Sequence, residues 1–136
     1  DVYALAVRGA DSVYAGGTFA NIGSTPTARA NLAEIDENGA VTGFAPAPDD
    51  DVRALTIADG NLYVGGDFLN VAGPQSRNRA AAYDNTNALI ATWFPNVEGS
   101  VRSIAVTGDA VYLGGVFSRV DQVYSPNYAK YVKAEP

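Results

Sequence analysis

The chain has 136 residues, 47% of them hydrophobic and 18% charged, with 14 glycines, a composition that supports a packed core and excludes a disordered tail. Its formal net charge of -6 opposes both nucleic-acid phosphates and anionic lipid surfaces, so nucleic acid is excluded as an expected partner. There is no cysteine and no histidine, which removes disulfides, thiol chemistry, the commonest general base and the commonest transition-metal ligand, and no cofactor is expected.

Taken in chain order, the first strand-like segment is Val2 to Val7, followed by the phrase Val13-Tyr14-Ala15-Gly16-Gly17-Thr18-Phe19. The same pair recurs as Val52 to Ile57 with Leu62-Tyr63-Val64-Gly65-Gly66-Asp67-Phe68, and as Val101 to Val106 with Val111-Tyr112-Leu113-Gly114-Gly115-Val116-Phe117. Gly16, Gly65 and Gly114 stand 49 residues apart, which marks an internal repeat. Ile35-Asp36 corresponds to Tyr83-Asp84, and Phe44 with Pro46 to Trp93 with Pro95. The units are 1–50, 51–99 and 100–136, the last expected to be incomplete because it stops near Val132 before a fourth strand.

Within the second unit the pattern predicts four strands, at Val52 to Ala58, Asn61 to Phe68, Ala80 to Asp84 and Ala88 to Trp93. They are punctuated by the two-residue hairpin signal Asp59-Gly60, by Ala72-Gly73-Pro74-Gln75-Ser76 and by Asn85-Thr86-Asn87. No segment shows a sustained helical period, and apolar runs such as Ala80 to Tyr83 are far below the roughly 18 residues of a membrane-spanning helix. A four-stranded unit of this length predicts an all-β fold of β-propeller blades. The double glycine is expected to bend the end of the second strand and to make room for Phe19, Phe68 and Phe117.

Gly65-Gly66, then Tyr83-Asp84, then Trp93 resemble the kelch repeat, although the tyrosine-to-tryptophan gap is longer than usual. A closer resemblance is to kelch-like propeller repeats of large secreted and surface bacterial proteins, through Gly65-Gly66-Asp67-Phe68 and Arg77 to Ala80. It implies an extracellular or cell-surface location and says little of function, because one fold hosts many.

Propellers close with typically four to eight blades. An exposed blade face covers on the order of 300 Å², and leaving it wet forfeits roughly 7 kcal/mol. Further blades in the same chain or self-association are therefore expected to close the ring.

No catalytic or metal site is expected. Asp49-Asp50-Asp51 lacks the ligand alternation of a calcium loop and has Glu98, Gly99 and Ser100 as its counterparts, and the serines have no histidine to activate them. The expected ligand or partner rim is formed by the loops between second and third strands together with those between blades. It carries Thr25, Thr27 and Arg29, then Gln75, Arg77 and Arg79, with Asp49, Asp50, Asp51, Asn96, Glu98 and the exposed Tyr124. Arginines and aspartates there are expected to pair side by side, and alanine at Arg77 and Arg79 to leave folding nearly unchanged. The expected function is a non-catalytic binding or scaffold module with a protein or glycan partner. Alternatives are a lectin-like carbohydrate binder and a propeller-enzyme segment whose catalytic residues lie elsewhere.

Overall fold

A computed structural model describes residues 1–72 and 75–135. Among these residues the structure is all-β, with fifteen strands and no helix. The chain builds the same motif three times. In the first, β1 (Val2–Arg8), β2 (Ser12–Gly17) and β5 (Leu32–Asp36) form an antiparallel sheet with β2 in the middle, and the ribbon β3 (Asn21–Ile22) with β4 (Thr27–Ala28) projects between β2 and β5. The second has β6 (Val52–Ala58), β7 (Asn61–Gly66) and β10 (Ala80–Tyr83), with the ribbon β8 (Asn70–Val71) and β9 (Gln75–Ser76). The third has β11 (Ser100–Val106), β12 (Ala110–Val116) and β15 (Tyr128–Val132), with β13 (Arg119–Val120) and β14 (Val123–Tyr124).

Local chemistry explains these boundaries. Asp59 and Gly60 both take positive φ, 51° and 78°, the type I′ geometry that matches the twist of a two-residue hairpin. Asp36 and Asp84 end their strands by accepting the amides two and four residues ahead, at 2.8 to 3.1 Å. Residues Gly73 and Pro74 of the expected second-unit loop lie outside the described residues.

The sheets pack in series, β1 and β2 against β6, then β6 and β7 against β11. The middle sheet is covered on both faces, so every residue of β7 is buried, the polar Asn61 included, and the strand shows no alternation of buried and exposed positions. One core cluster joins Tyr14, Leu32 and Phe44 to Val52, Val64 and Phe68. The other joins Tyr63, Ala80 and Trp93 to Val101, Val111 and Leu113.

Two expectations need correction. The double glycine does not make room for an aromatic ring. A Cβ on Gly16 would overlap the Val52 side chain of the next sheet, and one on Gly65 would overlap Val101. The second glycine answers a different crowding: a Cβ on Gly17, Gly66 or Gly115 would strike the backbone carbonyl of Asp1, Asp51 or Ser100 at the start of its own motif's first strand or just before it. That strand is close because it bulges at Tyr3, Arg53 and Arg102.

The expected fourth strand is also absent from the second motif. In Ala88 to Trp93 only Leu89 bridges, to Tyr83, as Val41 bridges Ile35 in the first motif. Pro95 in one motif and Pro46 and Pro48 in the other remove the donors a longer ladder needs. The segment is held by its aromatic residue instead. Trp93 is 2% exposed, meets Tyr63 and Tyr131 edge to face at 5.2 and 5.9 Å, and donates its indole N–H to Val132 O at 2.8 Å. Phe44 meets Tyr14 and Tyr83 edge to face in the same way, at 5.5 and 5.2 Å, without a polar handle.

Candidate functional site

The segment leaving each sheet lies beside the ribbon of the next, so the loop between motifs and the loop between second and third strands share one side. Asp49 N donates to Asn70 O at 3.1 Å, and Glu98 N to Arg119 O at 3.2 Å. Asp49 caps the β8 entrance, accepting the Leu69 and Asn70 amides at 2.8 and 3.0 Å and the Asn70 side chain at 2.8 Å. Burial alone would raise its carboxyl, but these bonds hold it below the usual carboxylate range. Asp50 accepts the Asp51 amide at 2.8 Å. Asn96 accepts from the Asn78 side chain and donates its own backbone amide to Asp121 Oδ1 at 3.0 Å. Glu98 faces Arg119 at 4.0 Å across solvent, Gln75 is exposed, and Tyr124 is 70% exposed.

The expected pairing of Arg29, Arg77 and Arg79 with the aspartates is not what forms. Arg29 donates to Phe44 O at 3.0 Å and Thr42 O at 2.6 Å. Arg77 is 8% exposed, donates to Ser76 O at 2.6 Å and Ala91 O at 3.4 Å, and lies over the Phe94 ring at 5.1 Å. Both arginines thus hold the strandless segment after the third strand, whose carbonyls lack ladder partners. Arg79 has φ 69° and a buried Nε with no partner. The third motif has Ser125 at the position of Arg29 and Arg77, since each donates its amide to the equivalent ribbon-entrance carbonyl of Ala20, Leu69 or Ser118. The arginine that does pair with aspartate is Arg53 at the bulge, which bridges Asp67 at 2.5 Å and Asp51 at 3.1 Å and lies over Tyr3 at 5.4 Å.

On the first seam a charged cluster stands that the sequence reading passed over. Glu34 is 5% exposed and accepts from Ser12 Oγ at 2.6 Å, Arg8 Nη1 at 3.0 Å, Thr42 Oγ1 at 3.1 Å and, from the second motif, Asn87 Nδ2 at 2.8 Å. Tyr14 completes it, donating to Asn87 Oδ1 at 2.5 Å and accepting from Arg8 at 3.2 Å, while Arg8 also donates to Asn85 O. Burial alone would raise the Glu34 carboxyl, but four donors from Ser12, Asn87, Arg8 and Thr42 hold it below the usual range. A carboxylate so engaged is a weak base with its oxygens occupied. Its chemistry is that of a clasp between motifs. The signal was present in sequence: Glu34 interrupts the run Leu32-Ala33-Glu34-Ile35 where the next motif has Ala82.

A cleft of about 440 Å³ lies between Gly43–Pro46 and Thr86–Leu89 over Phe44 and Tyr83. Both rings are under 9% exposed and meet edge to face, so neither offers an open stacking face. Tyr83 keeps a buried hydroxyl without a partner, and burial pushes its pKa well above the usual tyrosine value. Among the described residues no group of three acidic, histidine or cysteine side chains is placed to hold a metal ion. No protein-family model matches the chain, and no curated protein matches it significantly.

Proposed function

We propose that the chain is a run of kelch-like β-propeller blades, 1–50, 51–99 and 100–136, serving as a non-catalytic binding or structural module outside the cell or at its surface. The observation that carries this reading is the repetition of one seam. Val52 seats on Gly16 and Val101 on Gly65, each bringing the first strand of one sheet onto the face of the preceding sheet. Serial packing of this kind belongs to repeat architectures in which each unit contacts only its neighbours. Asp49, Arg29, Arg77 and Asn96 on the rim are committed to backbone carbonyls, amides and neighbouring side chains, which suits a module that holds shape and presents loops.

A second reading, a carbohydrate-binding propeller, is favoured by the exposed rings of Tyr124 and Tyr128, 70% and 56% accessible. Such rings stack on sugar faces. A glycan array with the intact protein separates the two. The scaffold reading expects no specific retention; retention of one glycan class that Tyr124→Ala abolishes would replace it with the lectin reading.

A further inference from the structure

We propose that the cleft between the first and second sheets binds a short aliphatic carboxylate, with its anionic group at the Tyr83 hydroxyl, in the place that the Asp121 side chain takes beside Tyr131. Both walls of the cleft, Gly43–Pro46 and Thr86–Leu89, belong to this chain and flank a seam that it forms by itself. The site therefore stands whether or not the three motifs belong to a propeller.

Tyr83 and Tyr131 hold one position of the repeat, near the end of the third strand, opposite Leu62 and Val111. Ala72 and Asp121 hold another, directly after the first ribbon strand. Both take positive φ, 35° and 48°, and both donate their amide to the segment leaving the preceding sheet, Ala72 to Pro46 O at 2.6 Å and Asp121 to Asn96 O at 2.9 Å. In the third motif the two positions meet. The Tyr131 hydroxyl donates to Phe94 O at 3.4 Å and lies beside the Asp121 carboxylate; burial, and then that carboxylate, push its pKa up to about 12. Asp121 Oδ1 is held in place by the Asn96 amide at 3.0 Å. In the second motif Ala72 has no carboxylate to offer. Tyr83 and Ala72 both line the cleft of about 440 Å³, and the hydroxyl of Tyr83, a residue 3% exposed, has no partner. The seat keeps its donor and lacks its acceptor.

Charge points to an anion as the missing acceptor. The charged group acting on the Tyr83 hydroxyl is the Arg77 guanidinium, where Tyr131 has the Asp121 carboxylate. Arg77 is 8% exposed, keeps a buried Nε without a partner and forms no ion pair among the described residues. A buried donor without an acceptor and a buried cation without a counter-ion are each costly, and one carboxylate relieves both. Burial holds the Tyr83 pKa well above the usual tyrosine value, so the phenol stays a neutral donor and its bond to a carboxylate is charge-assisted. The cleft itself is lined by no charged side chain, and Phe44, Pro46 and Leu89 give it an apolar wall for a short hydrocarbon tail. Its volume lies within the roughly 300–1,000 Å³ of small-molecule sites.

Titration of the full chain with sodium butyrate at constant ionic strength, followed by amide chemical shifts, tests this, with butanamide as the neutral isostere. The expected result is a saturable shift at Ala72, Tyr83 and Leu89 that butanamide does not reproduce. Tyr83→Phe removes the donor, and Ala72→Asp fills the seat with a carboxylate of the chain's own. Each should weaken butyrate by about tenfold or more, the effect of one charge-assisted hydrogen bond, while the emission of the buried Trp93 stays unchanged. Ala72→Asp should also raise the denaturation midpoint, because it supplies the acceptor that Tyr83 lacks. Absence of saturation in the wild type, equal binding of butanamide, shifts confined to exposed lysines and arginines, or undiminished binding in either folded variant would each overturn the assignment.

Discussion

Asn87 Nδ2 donates to the Glu34 carboxylate at 2.8 Å across the seam between the first and second sheets, while its Oδ1 accepts the Tyr14 hydroxyl. A single amide thus satisfies two buried groups of the neighbouring motif. The arrangement is sensitive to which charge state Glu34 adopts, because its four donors, Arg8 among them, all favour the carboxylate.

Glu34→Gln should therefore destabilise the protein at neutral pH by about 2 kcal/mol, since it removes a charge-assisted network but keeps the side chain's shape. The pH dependence has a fixed sign. The folded pKa of Glu34 is depressed, so its contribution is fully present above the unfolded glutamate value of ~4.3 and is lost as pH falls through the folded value. Urea denaturation of both proteins between pH 7 and pH 3 checks this: the gap between wild type and variant should narrow toward low pH. A gap that stays constant or widens would mean the carboxylate is not held ionised by this cluster.

The glycine pairs make a second test, because the two glycines of a pair meet different neighbours. Gly16→Ala and Gly65→Ala place a methyl group into Val52 and Val101 respectively, an overpacking that costs typically 1–3 kcal/mol. Gly114→Ala meets only the mobile tip of Ser103 and should cost less than about 0.5 kcal/mol within the folded chain. Thermal unfolding of the three variants, compared at a concentration where each is monomeric, checks the ranking. Equal losses at all three positions would return the glycines to a purely backbone role.

The same comparison shows what was legible in sequence. The 49-residue recurrence and the hairpin signals located the first and second strands of each motif and the third strand of the second, because strand period and turn chemistry are local properties. Ala88 to Trp93 looked like a fourth strand because its apolar residues are real; they pack through Trp93 and Ile90, and the missing ladder shows only in three dimensions. The rim was legible as a location, since Asp49 and Asn96 do lie beside the ribbons. Its chemistry was not. Sequence gives the charge of Arg29 and Arg77 but not the partnerless carbonyls that claim them. Glu34 escaped for a related reason: three of its partners are far away in sequence, and Asn87 belongs to another motif.

Arg77→Ala should cost about 1–3 kcal/mol, against the sequence-based expectation of a nearly silent change. The side chain is 8% exposed, and its loss leaves the Ser76 and Ala91 carbonyls and the Phe94 ring without their cation. Tyr124→Ala, at a ring 70% open to solvent, should stay within about 0.5 kcal/mol and serves as the control. Chemical denaturation of both variants decides the matter; an Arg77 variant as stable as the Tyr124 variant would return this arginine to the open rim.

Arg79 is the position where the second motif departs from the other two, and it supports a stabilising substitution. Its amide donates to Phe68 O at 2.9 Å and its carbonyl accepts from Gly66 at 3.0 Å, as Asn31 and Asn127 do with Phe19, Gly17, Phe117 and Gly115. All three residues take positive φ, between 60° and 69°, the left-handed region that asparagine tolerates better than arginine. Asn31 also uses its side chain, accepting the Phe19 amide at 3.0 Å and donating to Pro48 O at 3.0 Å, whereas Arg79 leaves its Nε buried and unpartnered. Arg79→Asn relieves backbone strain, removes an unsatisfied donor and offers the same two bonds, opposed by the loss of a positive charge beside Asp67. Strain and donor outweigh an exchangeable surface charge, because Arg53 already pairs with Asp67 at 2.5 Å. The expected result is a gain of about 0.5–1 kcal/mol, read as a higher denaturation midpoint with an unchanged slope. A loss of stability would show that the Arg79 guanidinium, rather than its backbone geometry, is what this turn requires.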